Sequence, residues 1–251
     1  MSKVLCLHRM RIKPGLGRLI GLVNLSGIIL LSACATTTQP PTQEQNQGSK
    51  YSEPRWILNG ATIIEDEWEH MRIVKETEYR VVAMDGRVAI RARGKNSASS
   101  LLRYVEINPH ECPIIEWSWR IDKLQQDADI KIKDKEDVAA SIYVIFGDPG
   151  IVGNLKPVPT LRYVWASHRN PVGSIIQSPY VDTINSIVIE SGDAKRGQWV
   201  SERRNVLEDY KRAFGKLPSE PVQVVMFFTD NDQTQQHVEA YYEWIRMKCS
   251  S

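Results

Sequence analysis

The sequence predicts an all-β domain, mainly an antiparallel sandwich of the jelly-roll kind, with one short α-helix near 206–214. Three observations predict it. Apolar and polar residues alternate over much of the chain beyond residue 55, the period of a half-buried strand. Asp85-Gly86 stands between two such runs, and Asp-Gly favours the tight turn of a hairpin. A single segment has helical spacing, so the helical crossovers that a parallel α/β sheet requires are missing.

Taken in order, Arg55 to Leu58 opens the domain, and Glu65 to Val74 is ambiguous, with Trp68 and Met71 as its candidates to face a core. Tyr79–Ala83 and Arg87–Arg93 are the arms of the hairpin; Val88, Ile90 and Ala92 should face inward and Arg87, Arg91 and Arg93 outward. Leu101–Ile107 is the next strand. Ile115, Trp117, Trp119 and Ile121 then alternate with Glu116, Ser118, Arg120 and Asp122, a strand with one aromatic face. Lys123 to Asp137 is a charged loop, and Val138 to Phe146 is apolar enough to be a central strand covered on both faces. A loop rich in glycine and proline follows over Gly147–Pro159, then strands over Leu161–Ala166 and Ile184–Glu190. Asn205 caps the helix, Glu208 completes a capping box and Gly215 stops it, while Val206, Tyr210 and Phe214 share a face. Val222–Phe228, a polar turn at Thr229–Gln236 and Tyr241–Met247 close the chain, for about ten strands in all.

The first 33 residues read differently. They hold five of the 32 basic residues, among them Arg9, Arg11, Lys13 and Arg18, and no acid. Leu19 to Leu31 is an apolar run of 13 residues, short of the ~20 that a membrane-spanning helix needs. Basic residues, a short apolar run and small residues at its end make a secretory leader, with Met10 as an alternative start to Met1. Leu31-Ser32-Ala33-Cys34 resembles the lipobox of bacterial lipoproteins. That resemblance implies cleavage before Cys34, fatty acylation of Cys34 and membrane anchoring. Ala35, where Asp favours inner-membrane retention, implies the outer membrane, facing the periplasm. Residues 34–50, polar and without a large apolar side chain, read as a flexible tether with a reach of about 20–25 Å. A single domain follows over 51–251.

Removing the leader changes the charge. The whole chain carries +2, but the mature part keeps 27 basic against 30 acidic residues, a net of −3. A nucleic-acid partner, which calls for a strongly basic domain, is therefore not expected. Of four cysteines, Cys6 lies in the leader and Cys34 at the lipid site. Cys112 and Cys249 remain, either as a disulfide in an oxidising compartment or as two separate buried thiols.

Several spaced motifs resemble one family, domain of unknown function 3047: Trp117-Ser118-Trp119-Arg120; Asp137-Val138-Ala139-Ala140 running into Tyr143-Val144; Tyr163-Val164-Trp165; Trp199, Arg203-Arg204-Asn205, Asp209-Tyr210 and Phe214-Gly215; and Thr229-Asp230-Asn231-Asp232. The resemblance spans Trp56 to Met247 and implies an exported, β-rich bacterial protein with no established activity. The family commonly has a pair of acids before Ala-Ala, and here Glu136 precedes Asp137.

No nucleophile elbow, phosphate loop or His-Glu-x-x-His helix is present, and His70, His110, His168 and His237 stand apart as surface residues. Two acidic clusters remain as candidates: Glu136-Asp137 at the head of a central strand, and Asp230 with Asp232 just past another. Acids there suit Ca²⁺, with Asp230 and Asp232 as ligands, or an acid/base set of Asp137, Asp230 and Asp232 on a glycan; the plainer reading is a solvated turn. Arg203 and Arg204 would bind an anionic sugar, pair with the acids, or pair elsewhere in the fold. Trp117 with Trp119, and Tyr242 with Trp244, should share faces, as a sugar platform or, more plainly, as core. Three functions follow: a non-catalytic glycan-binding or structural envelope module, a glycan hydrolase or lyase, and a protein-binding scaffold.

Overall fold

A computed structural model describes residues 53–60 and 67–250. The leader, Cys34 and the tether lie outside the described residues. The strands are β1 (Arg55–Asn59), β2 (Glu69–Val74), β3 (Glu78–Met84), β4 (Arg87–Gly94), β5 (Ala98–Ile107), β6 (Ile114–Lys123), β7 (Ala140–Phe146), β8 (Thr160–Ala166), β9 (Ile175–Gln177), β10 (Ile184–Ser191), β11 (Val200–Asn205), β12 (Val222–Asp230) and β13 (Val238–Lys248). The helix α1 (Val206–Phe214) lies between β11 and β12.

The strands form two sheets. The six-stranded sheet runs β11-β6-β13-β4-β3, with β1 also paired to β13. The seven-stranded sheet runs β2-β5-β12-β7-β8-β10-β9. Neighbours pair antiparallel except β8 and β10, which are parallel. The inner faces interdigitate as a sandwich core. Trp117 stacks on Tyr163 with centroids 5.1 Å apart, Trp119 tilts against Trp165 at 5.7 Å, and Phe227 meets Tyr242 at 4.6 Å. Each ring removes about 150–250 Å² from water, at roughly 25 cal/mol per Å², so this aromatic layer is the main adhesive between the sheets.

The strand periods of the sequence become faces. All seven residues of β7 are buried because β7 is central and both its faces are covered. The Asn205 side chain accepts from the Leu207 and Glu208 amides, Gly215 takes the left-handed conformation at φ 75°, and Val206 and Tyr210 are buried against the core. Cys112 and Cys249 are bridged, which ties the end of β13 to the β5–β6 turn across 137 residues of sequence; closing so long a loop contributes about 2–5 kcal/mol.

Four local features differ from the sequence reading. The count of strands rises to thirteen among the described residues, because β2 forms and because β9 and β11 carry no apolar alternation. β11 is the edge Val200-Ser201-Glu202-Arg203-Arg204-Asn205, whose charges discourage pairing with another chain. Val88, expected inside, is 36% exposed, since it lies too near the Asp85-Gly86 turn to be covered by the opposite sheet. A bulge between Tyr242 and Trp244 inverts the face of Trp244: Tyr242 is in the core opposite Trp119, while Trp244 lies opposite Ser118 on the outside.

Candidate functional site

Asp230 ends β12 and Asp232 follows in the turn to β13; Asp137 ends the loop that leads into β7. β7 and β12 are neighbours, and their pairing brings these distant positions together. One carboxylate oxygen from each of Asp137, Asp230 and Asp232 lies within 4.8 Å of the others. Asp137 is fully buried, Asp230 is 6% exposed and Asp232 is half-buried. The solvated turn of the sequence reading is therefore replaced by a buried cluster, because residues 124–139 fold over the sheet's outer face and pack Ile130 and Val138 on Val164 and Val188.

Each acid is held in place. Asp137 accepts from the Gln233 amide (3.3 Å), the Thr234 amide (2.6 Å) and the Thr234 hydroxyl (2.5 Å). Asp230 Oδ1 accepts from the Val138 amide at 2.9 Å, and the Gln125 side-chain amide donates to the Asp230 carbonyl. Asp232 Oδ2 accepts from Gln233 Nε2 at 3.1 Å. Burial, then the charge of Asp137, pushes the Asp230 carboxyl well above its ordinary value; burial and Asp137 also raise Asp232.

Glu136 joins a second group beside the first. Its carboxylate accepts from Arg162 Nη2 at 2.6 Å, and both side chains are buried. Arg162 stands on β8, where its Nε donates to Ser186 Oγ at 2.7 Å and Nη1 reaches the Tyr143 hydroxyl at 3.4 Å. Arg162, Gln125, Gln233 and Thr234 were not among the sequence candidates. Arg162 did carry a signal, a lone charge inside the apolar run Thr160–Ala166, which demands a buried partner.

Arg203 and Arg204 lie elsewhere. Arg203 bonds Glu116 at 2.7 Å on the outer face of the six-stranded sheet, and Arg204 grips Asp209 of α1, which also receives the Tyr163 hydroxyl. Successive residues of a strand face opposite ways, so this neighbouring pair could not converge on one site. No histidine joins the acidic cluster among the described residues; His70 bonds Ser99 and His110 the Pro218 carbonyl.

The outer face of the six-stranded sheet is the second candidate. Register aligns Trp56, Arg246, Glu116 and Arg203 as one row across β1, β13, β6 and β11. The Arg246 guanidinium lies 5.1 Å from the Trp56 ring and 4.8 Å from that of Trp244, and Trp56 is 45% exposed. Further along, Arg120 and Arg87 lie over Tyr241 and Trp199 at 5.8 and 5.4 Å. On the opposite face of the sandwich, beside the 147–159 loop, an apolar groove of about 280 Å³ is lined by Met71, Tyr143, Ile145, Met226, Phe228 and Val158.

As a catalytic pair the acids are badly placed for a sugar. The two carboxyls of a glycosidase face the substrate, whereas here Asp137 and Asp230 are buried and the Asp137 carboxylate is committed to Gln233 and Thr234. The cluster is better suited to holding a cation than to flanking a glycosidic bond.

This sandwich of two sheets defines an all-β protein with one short helix. The chain belongs to the family described as "Protein of unknown function (DUF3047)", which it matches over residues 66–246. No curated protein matches it. Among solved structures it is similar to the family 11 carbohydrate-binding module of cellulosomal cellulase Lic26A-Cel5E of Clostridium thermocellum, at 5% identity and a TM-score of 0.43, covering 79% of this chain and 95% of that one. It is also similar to the xyloglucanase domain of NopAA from Sinorhizobium fredii, at 11% identity and a TM-score of 0.39, covering 74% and 96%. These are likenesses of architecture.

Proposed function

We propose that this protein is a lipid-anchored lipoprotein of the bacterial outer membrane, facing the periplasm, whose sandwich binds glycan without cleaving it. The observation that carries the reading is the Trp56–Arg246–Trp244 array on the open sheet face. The exposed ring of Trp56 and the half-buried ring of Trp244 offer apolar faces to sugar C–H groups, and the adjoining Arg246 and Arg203 supply planar donors for hydroxyls. A rigid sheet positions these groups before a ligand arrives, which lowers the ordering entropy of binding. The leader, the lipobox ending in Cys34 and the polar tether support the membrane location.

The test is a screen of the whole protein, purified in detergent, against envelope polysaccharides, scored for binding and for released sugars. Wild type should retain a polysaccharide and release nothing, Trp56→Ala and Trp244→Ala should each weaken retention at least tenfold, and Cys34→Ala should move the protein out of the membrane fraction. Retention unaffected by both tryptophan substitutions, or release of sugar products, would sink the reading.

A further inference from the structure

We propose that Asp137, Asp230 and Asp232, together with the side-chain carbonyl oxygens of Gln125 and Gln233, form a binding site for a calcium ion. The acids alone would not justify this; acidic clusters are common without a metal. The independent observation is a set of stranded acceptors beside them. Gln125 is fully buried, its Nε2 is committed to the Asp230 carbonyl, and its Oε1 is buried with no partner. Gln233 repeats the pattern: its Nε2 is committed to Asp232 Oδ2, and its Oε1 is buried with no partner. Asp232 Oδ1 is likewise buried and bare.

The orientation of both carboxamides is fixed by chemistry. A backbone carbonyl and a carboxylate oxygen only accept, so each must face an NH₂ group, and each amide oxygen is then turned away from it. Leaving a buried acceptor unmet costs as much as losing a hydrogen bond. A proton shared among the carboxylates relieves their repulsion but supplies a single O–H donor, too few for the two amide oxygens and Asp232 Oδ1 together. A cation satisfies amide and carboxylate oxygens alike.

The donor set selects the ion. All five side chains offer oxygen, and no cysteine or histidine is in the group, so a hard cation is favoured over zinc or copper. Ca²⁺ takes 6–8 oxygens with tolerant geometry, which suits five side chains from three segments completed by water; Mg²⁺ demands a stricter octahedron. Charge agrees, since Arg162 is already bound to Glu136, leaving three carboxylates with no cation of their own bonded to them. The ion would fasten the loop after β6, the entry to β7 and the β12–β13 turn to one point.

The experiment uses the whole protein, stripped with a chelator and titrated with CaCl₂ by calorimetry, with thermal melts alongside. One equivalent of Ca²⁺ should bind, and Tm should rise by roughly 5–10 °C at a hundredfold excess over Kd. MgCl₂ should bind at least tenfold more weakly. Asp232→Asn, at the half-buried and replaceable position, should keep the circular dichroism of wild type while binding Ca²⁺ at least tenfold more weakly and losing the Tm rise. Gln125→Met, close in size but lacking the amide oxygen, should do the same to a smaller degree. No heat and no Tm shift with Ca²⁺, or binding undiminished in Asp232→Asn, overturns the assignment.

Discussion

Glu116 and Asp230 are both buried acids at the outer faces of this sandwich, yet their surroundings have opposite signs. Glu116 sits in the six-stranded sheet among three cations, Arg203 at 2.7 Å, Arg246 at 2.9 Å and Lys248 at 3.1 Å. Burial works against its ionised form, but the hydrogen bonds from Lys248, Arg246 and Arg203 outweigh it and hold its carboxyl below the ordinary value. Asp230 has two further aspartates beside it, and the nearby guanidinium of Arg162 is bonded to Glu136. Its carboxyl is driven up instead, by burial first and Asp137 second. The first cluster is electrically complete within the chain. The second is short of positive charge, and a partner from outside completes it.

The strongest way to break this contrast is Arg162→Met. It leaves Glu136 buried without its cation and adds a fourth unmatched acid to the deficient side, at an expected cost of about 3–5 kcal/mol in urea unfolding. Next comes Asp230→Asn, which keeps an oxygen for the Val138 amide. In chelator, wild type should lose stability as pH rises through the elevated value of Asp230, since the native carboxyl holds its proton where the unfolded one releases it. Asp230→Asn should flatten that fall and be more stable than wild type at neutral pH in chelator, while losing its response to Ca²⁺. Glu116→Gln should cost less, about 1 kcal/mol, because its three partners are partly exposed and screened. Its pH signature runs the other way: the contribution of Glu116 is present above the ordinary carboxylate value and fades as pH falls through its lowered one.

Glu202 provides an intermediate case and the smallest expected effect. It faces Glu190 across the sandwich edge, with Lys195 ion-paired to Glu190, so two acids share one base. Burial, then the charge of Glu190, pushes Glu202 up to about 7. Stability should slope downward from pH 4.5 to about 7 on this account, and Glu202→Gln should remove that slope with little change at acid pH. Melts across this range check it.

The two clusters were unequally legible in the sequence. Asp137, Asp230 and Asp232 were visible as acids at strand ends, because strand periods place strand ends. Their burial was not visible, since it depends on residues 124–139 folding back over the sheet, which no local period encodes. Gln125 and Gln233 could not be singled out, because their significance lies in what fails to reach their oxygens. The open face was misread for a different reason. One bulged residue reverses every side chain beyond it, so Trp244 was assigned to the face of Tyr242 while it stands with Trp56 outside. The Asp85-Gly86 hairpin, the caps of α1 and the apolar β7 were legible because turn chemistry, capping and continuous burial are written in adjacent residues. The charged edge β11 was not, since an edge strand needs little apolar pattern.

The order of strands in the sheets carries a further consequence, for synthesis. β12 lies between β5 and β7, and β13 lies beside β6, β4 and β1. Each sheet thus has an interior strand, β12 or β13, that comes later in the chain than the neighbours it joins. Until Val222 and its successors have emerged, β5 and β7 have nothing between them, and neither have β6 and β4. Without β12 and β13 the remaining strands form separated half-sheets. A stop codon just short of Val222 would thus remove the seam of both sheets while sparing eleven of the thirteen strands.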